Sequence, residues 1–140
     1  MSQKNHQSIY TKIFHEKLEP IIFHDEDWFV ILANRPINEG HLLVVPKEKS
    51  LRFYEISNVG RGFEIATQCA KILQKIYDPP RVSLFVKGFT IEQHAHIHVH
   101  PIYKREDMDV HVDDMKNISV EEMKIVAAKI KSVMNKQPII

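Results

Sequence analysis

Alternation of polar and apolar positions is strictest over residues 93–101, Gln93-His94-Ala95-His96-Ile97-His98-Val99-His100-Pro101. A period of two held this long predicts a half-buried β-strand. Successive strand side chains point to opposite faces. The imidazoles of His94, His96, His98 and His100 are therefore expected on one face, with Ala95, Ile97 and Val99 turned into a core. Upstream, β-branched and aromatic runs predict three more strands: residues 21–24, residues 28–32 after the acidic turn Asp25-Glu26-Asp27, and residues 41–45, closed by Pro46. Their short connections predict an antiparallel meander. A further strand at 82–87 is followed by a connection containing Gly88 and is expected to pair tightly with the histidine strand.

Helical spacing fills much of the remainder. Ile9, Ile13 and Phe14 fit a short amphipathic helix ended by Pro20. Val59, Phe63, Ala66, Ala70, Leu73 and Tyr77 recur at threes and fours, and Ile65, Cys69, Ile72 and Ile76 widen that stripe. Ser57 is its expected N-cap, Gly60 and Gly62 weaken its first turn, and Asp78-Pro79-Pro80 stops it. Ser119 and Glu122 have capping-box spacing ahead of Met123, Val126, Ala127, Ile130 and Met134, a second main helix over about 119–134. Lys104-Arg105-Glu106-Asp107 reads as a solvated charged loop. Gln137-Pro138-Ile139-Ile140 either docks at a dimer interface or frays. With no repeat, low-complexity tract or linker, the expectation is one α+β domain over residues 1–140.

Composition excludes several partners. The chain has 19 Lys and Arg against 18 Asp and Glu, a formal charge of +1, so it lacks the basic field of a nucleic-acid or membrane-surface binder. Hydrophobic residues at 44% and charged residues at 26% are those of a soluble domain. Cys69 is the single cysteine, which suits a reducing compartment. It is expected as a buried thiol on the helix packing face rather than a nucleophile. No signal peptide or membrane span is evident, and the expected location is cytoplasmic.

The histidine row admits three readings. It could be an exposed polar face with no role. It could supply ligands to zinc or copper, but no Cys-x-x-Cys or second histidine cluster is visible, and His41 and His111 are the only obvious extra candidates. Or it could act at phosphorus: crowded imidazoles resist joint protonation, so one ring can attack while its neighbours donate hydrogen bonds.

His94-Ala95-His96-Ile97-His98-Val99-His100-Pro101 resembles the signature of the histidine triad (HIT) superfamily, three alternating histidines followed by two usually apolar residues and often proline. Asp25-Glu26-Asp27-Trp28-Phe29-Val30 and His41-Leu42-Leu43-Val44-Val45-Pro46-Lys47 resemble the family's acidic turn and its Gly-His-x-Leu-Val-x-Pro-Lys strand. The resemblance spans residues 8–103 and implies the HIT-like fold: an antiparallel sheet of about five strands, two main helices and a symmetric homodimer that extends or packs the sheet. It implies a bacterial-type nucleotide hydrolase that attacks the α-phosphate of a nucleoside phosphoramidate or dinucleoside polyphosphate through a covalent nucleotidyl-histidine. The alternatives are a nucleotidyltransferase of the same superfamily, or a catalytically weak nucleotide- or metal-binding protein.

By the same resemblance His96 is the nucleophile, flanked by His94 and His98, with His98 helping the leaving group and His41 as the upstream active-site histidine. A shifted triad, His96-His98-His100, would move the nucleophile to His98. Pro101 favours the first frame, which leaves His100 at a usually apolar position. Many bacterial relatives hold a structural zinc through Cys-x-x-Cys, a later His and a triad residue; the matching positions here are Ser8, Thr11 and Lys49, so no zinc is expected. No cofactor is required, and a divalent cation such as Mg is compatible with polyphosphate substrates. The family's ribose contact falls on Ala33 by simple register, or on Asn34 if Asn34-Arg35-Pro36 is a shortened Asn-Arg-x-Pro. Ile9, Tyr10, Ile13 and Ile31 would line the base pocket or serve as ordinary core. The loop before the triad lacks the usual Gly-Gln-Ser/Thr, leaving Thr90 or Gln93 to contact phosphate.

Overall fold

In the computed structural model, residues 7–87, 93–111 and 114–140 are described. The elements in order are α1 (Ile9–Glu16), β1 (Ile21–His24), β2 (Trp28–Leu32), β3 (Leu42–Pro46), α2 (Val59–Tyr77), β4 (Arg81–Phe85), β5 (Ile97–Ile102) and α3 (Val120–Met134), with 3-10 turns at Phe53–Glu55 and Arg105–Met108. The strands form one antiparallel sheet in the order β1-β2-β3-β5-β4. Only the first three strands run as the expected meander. Helix α2 carries the chain across to the far edge, and β5 returns between β3 and β4. Burial follows this order: β5 is enclosed along nearly all its length, whereas β4 has the partly exposed pattern of an edge.

Each face of the sheet has its own core. Trp28, Val30, Leu32, Leu42, Val44, Ile97 and Val99 pack beneath α2 and α3. Phe29, Ile31, Ala33, Leu43 and Val45 face the other way, under Ile13, Tyr10 and Phe14 of α1. Each fully buried Leu, Ile or Val contributes about 1.5–3 kcal/mol relative to exposure. The glycine that looked like a weakness in α2 has a packing reason: a Cβ on Gly62 would lie 2.3 Å from Cη2 of Trp28. The indole lies flat against that bare backbone, and its N–H donates to the Asn58 carbonyl at 3.2 Å.

Three local expectations are corrected. The residue preceding α2 is Asn58, not Ser57; it is left-handed (φ 54°) and does not cap the helix with its side chain, while its amide N–H donates to Asp27 at 2.9 Å. Regular strand begins at Ile97, so His94 and His96 lie on irregular backbone ahead of it. Strands β4 and β5 pair antiparallel as expected, from Arg81 opposite Ile102 to Phe85 opposite His98. The charged run after β5 is not all solvated. Asp107 is buried, and one carboxylate oxygen accepts from the backbone N–H of Tyr103 (2.8 Å) and Lys104 (3.3 Å) and from the Asn38 amide (3.3 Å).

Ser119 caps α3 as expected, its Oγ accepting from Glu122 N–H at 3.1 Å. The C-terminal residues are held by their own chain: Ile139 joins the core, and Ile140 exchanges backbone hydrogen bonds with the Gln68 amide and accepts from Arg61. Arg61 also pairs with Asp25 at 2.8 Å, tying α2 to the acidic turn before β2. Among the described residues no helix is long and apolar enough to cross a membrane.

Candidate active site

Strand register sets out a row across the α1 face of the sheet: Ile31 pairs with Leu43, Leu43 with His98, and His98 with Phe85. An apolar row thus runs into an imidazole and ends at a phenyl ring. Phe85 stacks on His98 with centroids 4.3 Å apart and planes 10° from parallel. His96, arriving from the irregular segment, brings its ring to 4.7 Å from His98. His41, at the head of β3, sits 5.1 Å from both His98 and His100. All five rings, His94 included, are buried. That burial is not the exposed polar face of the first reading.

Hydrogen-bond partners decide where each ring carries its proton. A backbone N–H can only donate, and that of Ile37 points at Nδ1 of His41 at 3.0 Å. Neutral His41 therefore holds its proton on Nε2, which donates to Nδ1 of His98 at 2.9 Å. With Nδ1 accepting, His98 carries its own proton on Nε2. Carbonyl oxygens only accept, so the nitrogen facing one is protonated. Nδ1 of His96 faces the His94 carbonyl at 2.7 Å, and Nδ1 of His100 faces that of Pro101 at 3.1 Å. His96 thus has its lone pair on Nε2.

Burial dominates the electrostatics of the group. It pushes His41 down to about 3, helped by repulsion from His100 and His96. His98 is depressed further, again by burial first and then by His96, His41 and His100. His94 and His100 are also lowered, by burial foremost. A low-dielectric cluster of cations would be costly, so these four rings stay neutral at pH 7.

His94 is anchored from both sides. Its Nε2–H donates to the Pro46 carbonyl at 2.8 Å. Its Nδ1 meets the hydroxyl of Ser8, which also accepts from Thr11 N–H at 3.0 Å and lies 3.1 Å from the Thr11 hydroxyl. Ser8 and Thr11, two of the positions matched to zinc ligands, do come together at a triad histidine. Their chemistry does not fit zinc, which takes thiolate, imidazole or carboxylate: these are neutral hydroxyls, and the Lys49 cation acts on the same ring. Among the described residues no group of three or more His, Cys, Asp or Glu is arranged to hold a metal ion.

The remaining candidates scatter. Tyr10 lies over His96, with centroids 4.7 Å apart. Ile13 and Ile31 are core residues of the α1 layer, while Ile9 is exposed. Ala33 lies on the α1 face and is buried. Asn34 is exposed, and its amide donates to Asn117 at 3.2 Å. Gln93 is exposed, and Thr90 falls outside the described residues. Sequence reasoning missed Phe85 and the Ser8–His94 contact. Phe85 was within reach had the β4–β5 register been known; the contact joins residues 86 positions apart and left no local pattern.

A five-stranded antiparallel sheet with histidines packed along one central strand is the architecture of the histidine-triad domains. The HIT domain matches residues 15–107, and the chain belongs to that family. It is 27% identical over 125 residues to an uncharacterized HIT-like protein of Methanocaldococcus jannaschii, covering 82% of this chain and 94% of that one. In fold it resembles a HIT-like protein involved in cell-cycle regulation from Bartonella henselae, with a TM-score of 0.75, 18% identity and coverage of 90% and 95% of the two chains. It likewise resembles the Plasmodium falciparum diadenosine triphosphate hydrolase, with a TM-score of 0.67, 17% identity and coverage of 84% and 77%.

Proposed function

We propose that this protein is a nucleotide hydrolase that cleaves at the α-phosphate of a nucleoside phosphoramidate or dinucleoside polyphosphate through a nucleotidyl-His96 intermediate. One observation carries the reading. His96 has Nδ1 committed to the His94 carbonyl and its lone pair on Nε2, while His98, beside it, presents Nε2–H because His41 occupies its Nδ1. A nucleophile next to a donor is what displacement at phosphorus needs. In the shifted triad His98 would have to attack with its protonated nitrogen. Family membership and the diadenosine triphosphate hydrolase among the structural neighbours add support.

In the forward step Nε2 of His96 bonds to the α-phosphorus as the P–N or P–O bond to the leaving group breaks. Charge that develops on the ring is spread through Nδ1–H onto the His94 carbonyl. The bound phosphate anion draws a proton from solvent onto the neutral histidine cluster, and His98 gives it to the departing amine or phosphate oxygen. Water then attacks phosphorus, its proton passes to His98, His96 leaves with its lone pair, and the cluster returns the extra proton to solvent as the nucleotide departs. The reaction needs no zinc or other cofactor, and a divalent cation such as Mg enters only with a polyphosphate. We take the working unit to be a cytoplasmic homodimer acting on small nucleotides, without nucleic-acid or membrane partners.

Turnover of adenosine phosphoramidate and a diadenosine polyphosphate by wild type, His96→Ala and His98→Ala tests the assignment. The expected result is that His96→Ala abolishes turnover of both, and His98→Ala costs most on the substrate with the poorer leaving group. Intact turnover in His96→Ala with loss in His98→Ala establishes the shifted triad instead. Product that forms only when a second phosphate acceptor is added establishes a transferase, and nucleotide binding without turnover a binding protein.

A further inference from the structure

Ser8 lies before α1 and outside the triad, yet it is 0% exposed and hydrogen-bonded to the ring of His94. Its hydroxyl has one proton and two lone pairs. Thr11 N–H takes one lone pair, which makes Ser8 the N-cap of α1. Because Nε2 of neutral His94 must donate to the Pro46 carbonyl, Nδ1 is unprotonated and only a donor satisfies it. The Ser8 proton therefore goes to His94, and the Thr11 hydroxyl donates to the remaining lone pair. Every position on the Ser8 oxygen is filled.

This matters because His94 precedes the regular strand. Its carbonyl, which accepts from Nδ1 of His96, is not held by the sheet ladder. What holds the segment is Ala95 N–H donating to the Ser50 carbonyl at 2.8 Å, together with the His94 ring clamped between Ser8 and Pro46. The same cap fixes the first turn of α1, from which Tyr10 lies against both His94 and His96.

We infer that Ser8 is a positioning residue: through its hydrogen bond to Nδ1 it holds His94 in one tautomer and orientation, and so sets the backbone carbonyl that keeps the Nε2 lone pair of His96 aimed at substrate. The kinetic consequence rests on the hydrolase reading above; the proton on His94 does not. Among the described residues, the groups at His94 are Ser8, Tyr10, His96, the Lys49 cation and the Pro46 and Glu48 backbone. None of these is anionic: burial and the Lys49 cation oppose a charged ring, while the Pro46 and Glu48 backbone contacts favour it.

Ser8→Asp separates this role from simple helix capping. Aspartate caps a helix as well as serine, but its carboxylate can only accept. It therefore demands a proton on Nδ1 while Pro46 keeps the one on Nε2, making His94 an imidazolium. Nitrogen-15 NMR of histidine-labelled protein, free of substrate, reads the ring directly. The expected wild-type signal is neutral Nε2–H His94 at pH 7 and above, with its transition held below the ordinary histidine range. In Ser8→Asp the His94 transition should move up into that range. With phosphoramidate, kcat should fall on the order of ten- to a hundredfold in Ser8→Ala and Ser8→Asp, as small misplacements of reacting groups do. KM should stay within about twofold, and Ser8→Thr should restore the rate. An Nδ1–H tautomer in wild type, or a Ser8→Asp protein with His94 and kcat unchanged, overturns the inference. If wild type turns over no nucleotide, the hydrolase reading fails while the NMR signals still decide the role of Ser8.

Discussion

Lowering the pH from about 7.5 to about 5 protonates ordinary histidines, whose unperturbed pKa is near 6.5. His41 behaves differently in the folded chain, where burial and then the neighbouring His100 and His96 hold it down to about 3. Below pH 6.5 the unfolded chain takes up a proton that the native state refuses, so stability falls with pH. The contribution is intact above the unfolded pKa and erodes until the folded pKa is reached. One such ring costs about 1.4 kcal/mol per pH unit, or roughly 2 kcal/mol by pH 5. His98 is lowered for the same reasons, burial first, and His94 and His100 shift the same way. Part of the shift at His41 and His98 is mutual repulsion, which disappears while the neighbours are neutral. The set should therefore lose about 2–4 kcal/mol rather than a simple multiple of one ring. Against a total of about 5–15 kcal/mol, that is a large share. Glu19, raised by burial, works weakly in the opposite direction. Urea unfolding followed by fluorescence of the buried Trp28 at a series of pH values gives the slope, hence the protons taken up. His41→Asn should be less stable at pH 7.5 but flatter with pH, by close to one proton. A stability that stays level from pH 7.5 to 5 would refute the account of a neutral buried cluster.

Three other outcomes follow from packing. Gly62→Ala should destabilise by about 1–3 kcal/mol in urea titrations despite the helix-favouring residue, since Trp28 occupies the space of the new methyl; an unchanged midpoint would show that the indole moves aside. Gly40, at φ 94° with Tyr77 2.6 Å from where a Cβ would sit, should respond to Gly40→Ala with a similar loss by the same assay. Cys69, buried with its thiol pushed up to about 12, should resist aromatic disulfide reagents in native protein and react on unfolding; rapid native labelling would contradict its place in the core.

Much of the sheet was readable because its strands are short, β-branched and separated by turn residues; residues 21–24 and 28–32 match β1 and β2. The stripe from Val59 to Tyr77 gave α2 for a similar reason, since one face of a helix repeats in the chain. The β1-β2-β3 meander and the β4–β5 pairing were read, but the adjacency of β3 and β5 was not, because alternation fixes which way side chains point and not which strand is the neighbour. The histidine run illustrates the limit. Its period is perfect in sequence, yet the backbone at His94 and His96 is irregular, held by Ser8, Ser50 and Pro46 from elsewhere. Residue types named the cluster His41, His94, His96 and His98. The resemblance implied unequal roles for them, but where each ring carries its proton depends on partners such as the Ile37 N–H and the His94 carbonyl, which no side-chain pattern encodes. Asp107 was misread as solvent-exposed because a charged run hides one buried member satisfied by backbone N–H groups.

The central claim is that the lone pair on Nε2 of His96 makes the bond to phosphorus. Mixing the protein with adenosine phosphoramidate, quenching within one turnover and mapping the adduct by peptide mass spectrometry tests it most directly. The account predicts an adenylyl group on the peptide containing the triad, with fragment ions placing it on His96 and its absence from His96→Ala. An adduct on His98, or steady turnover with no adduct at any histidine, would contradict it.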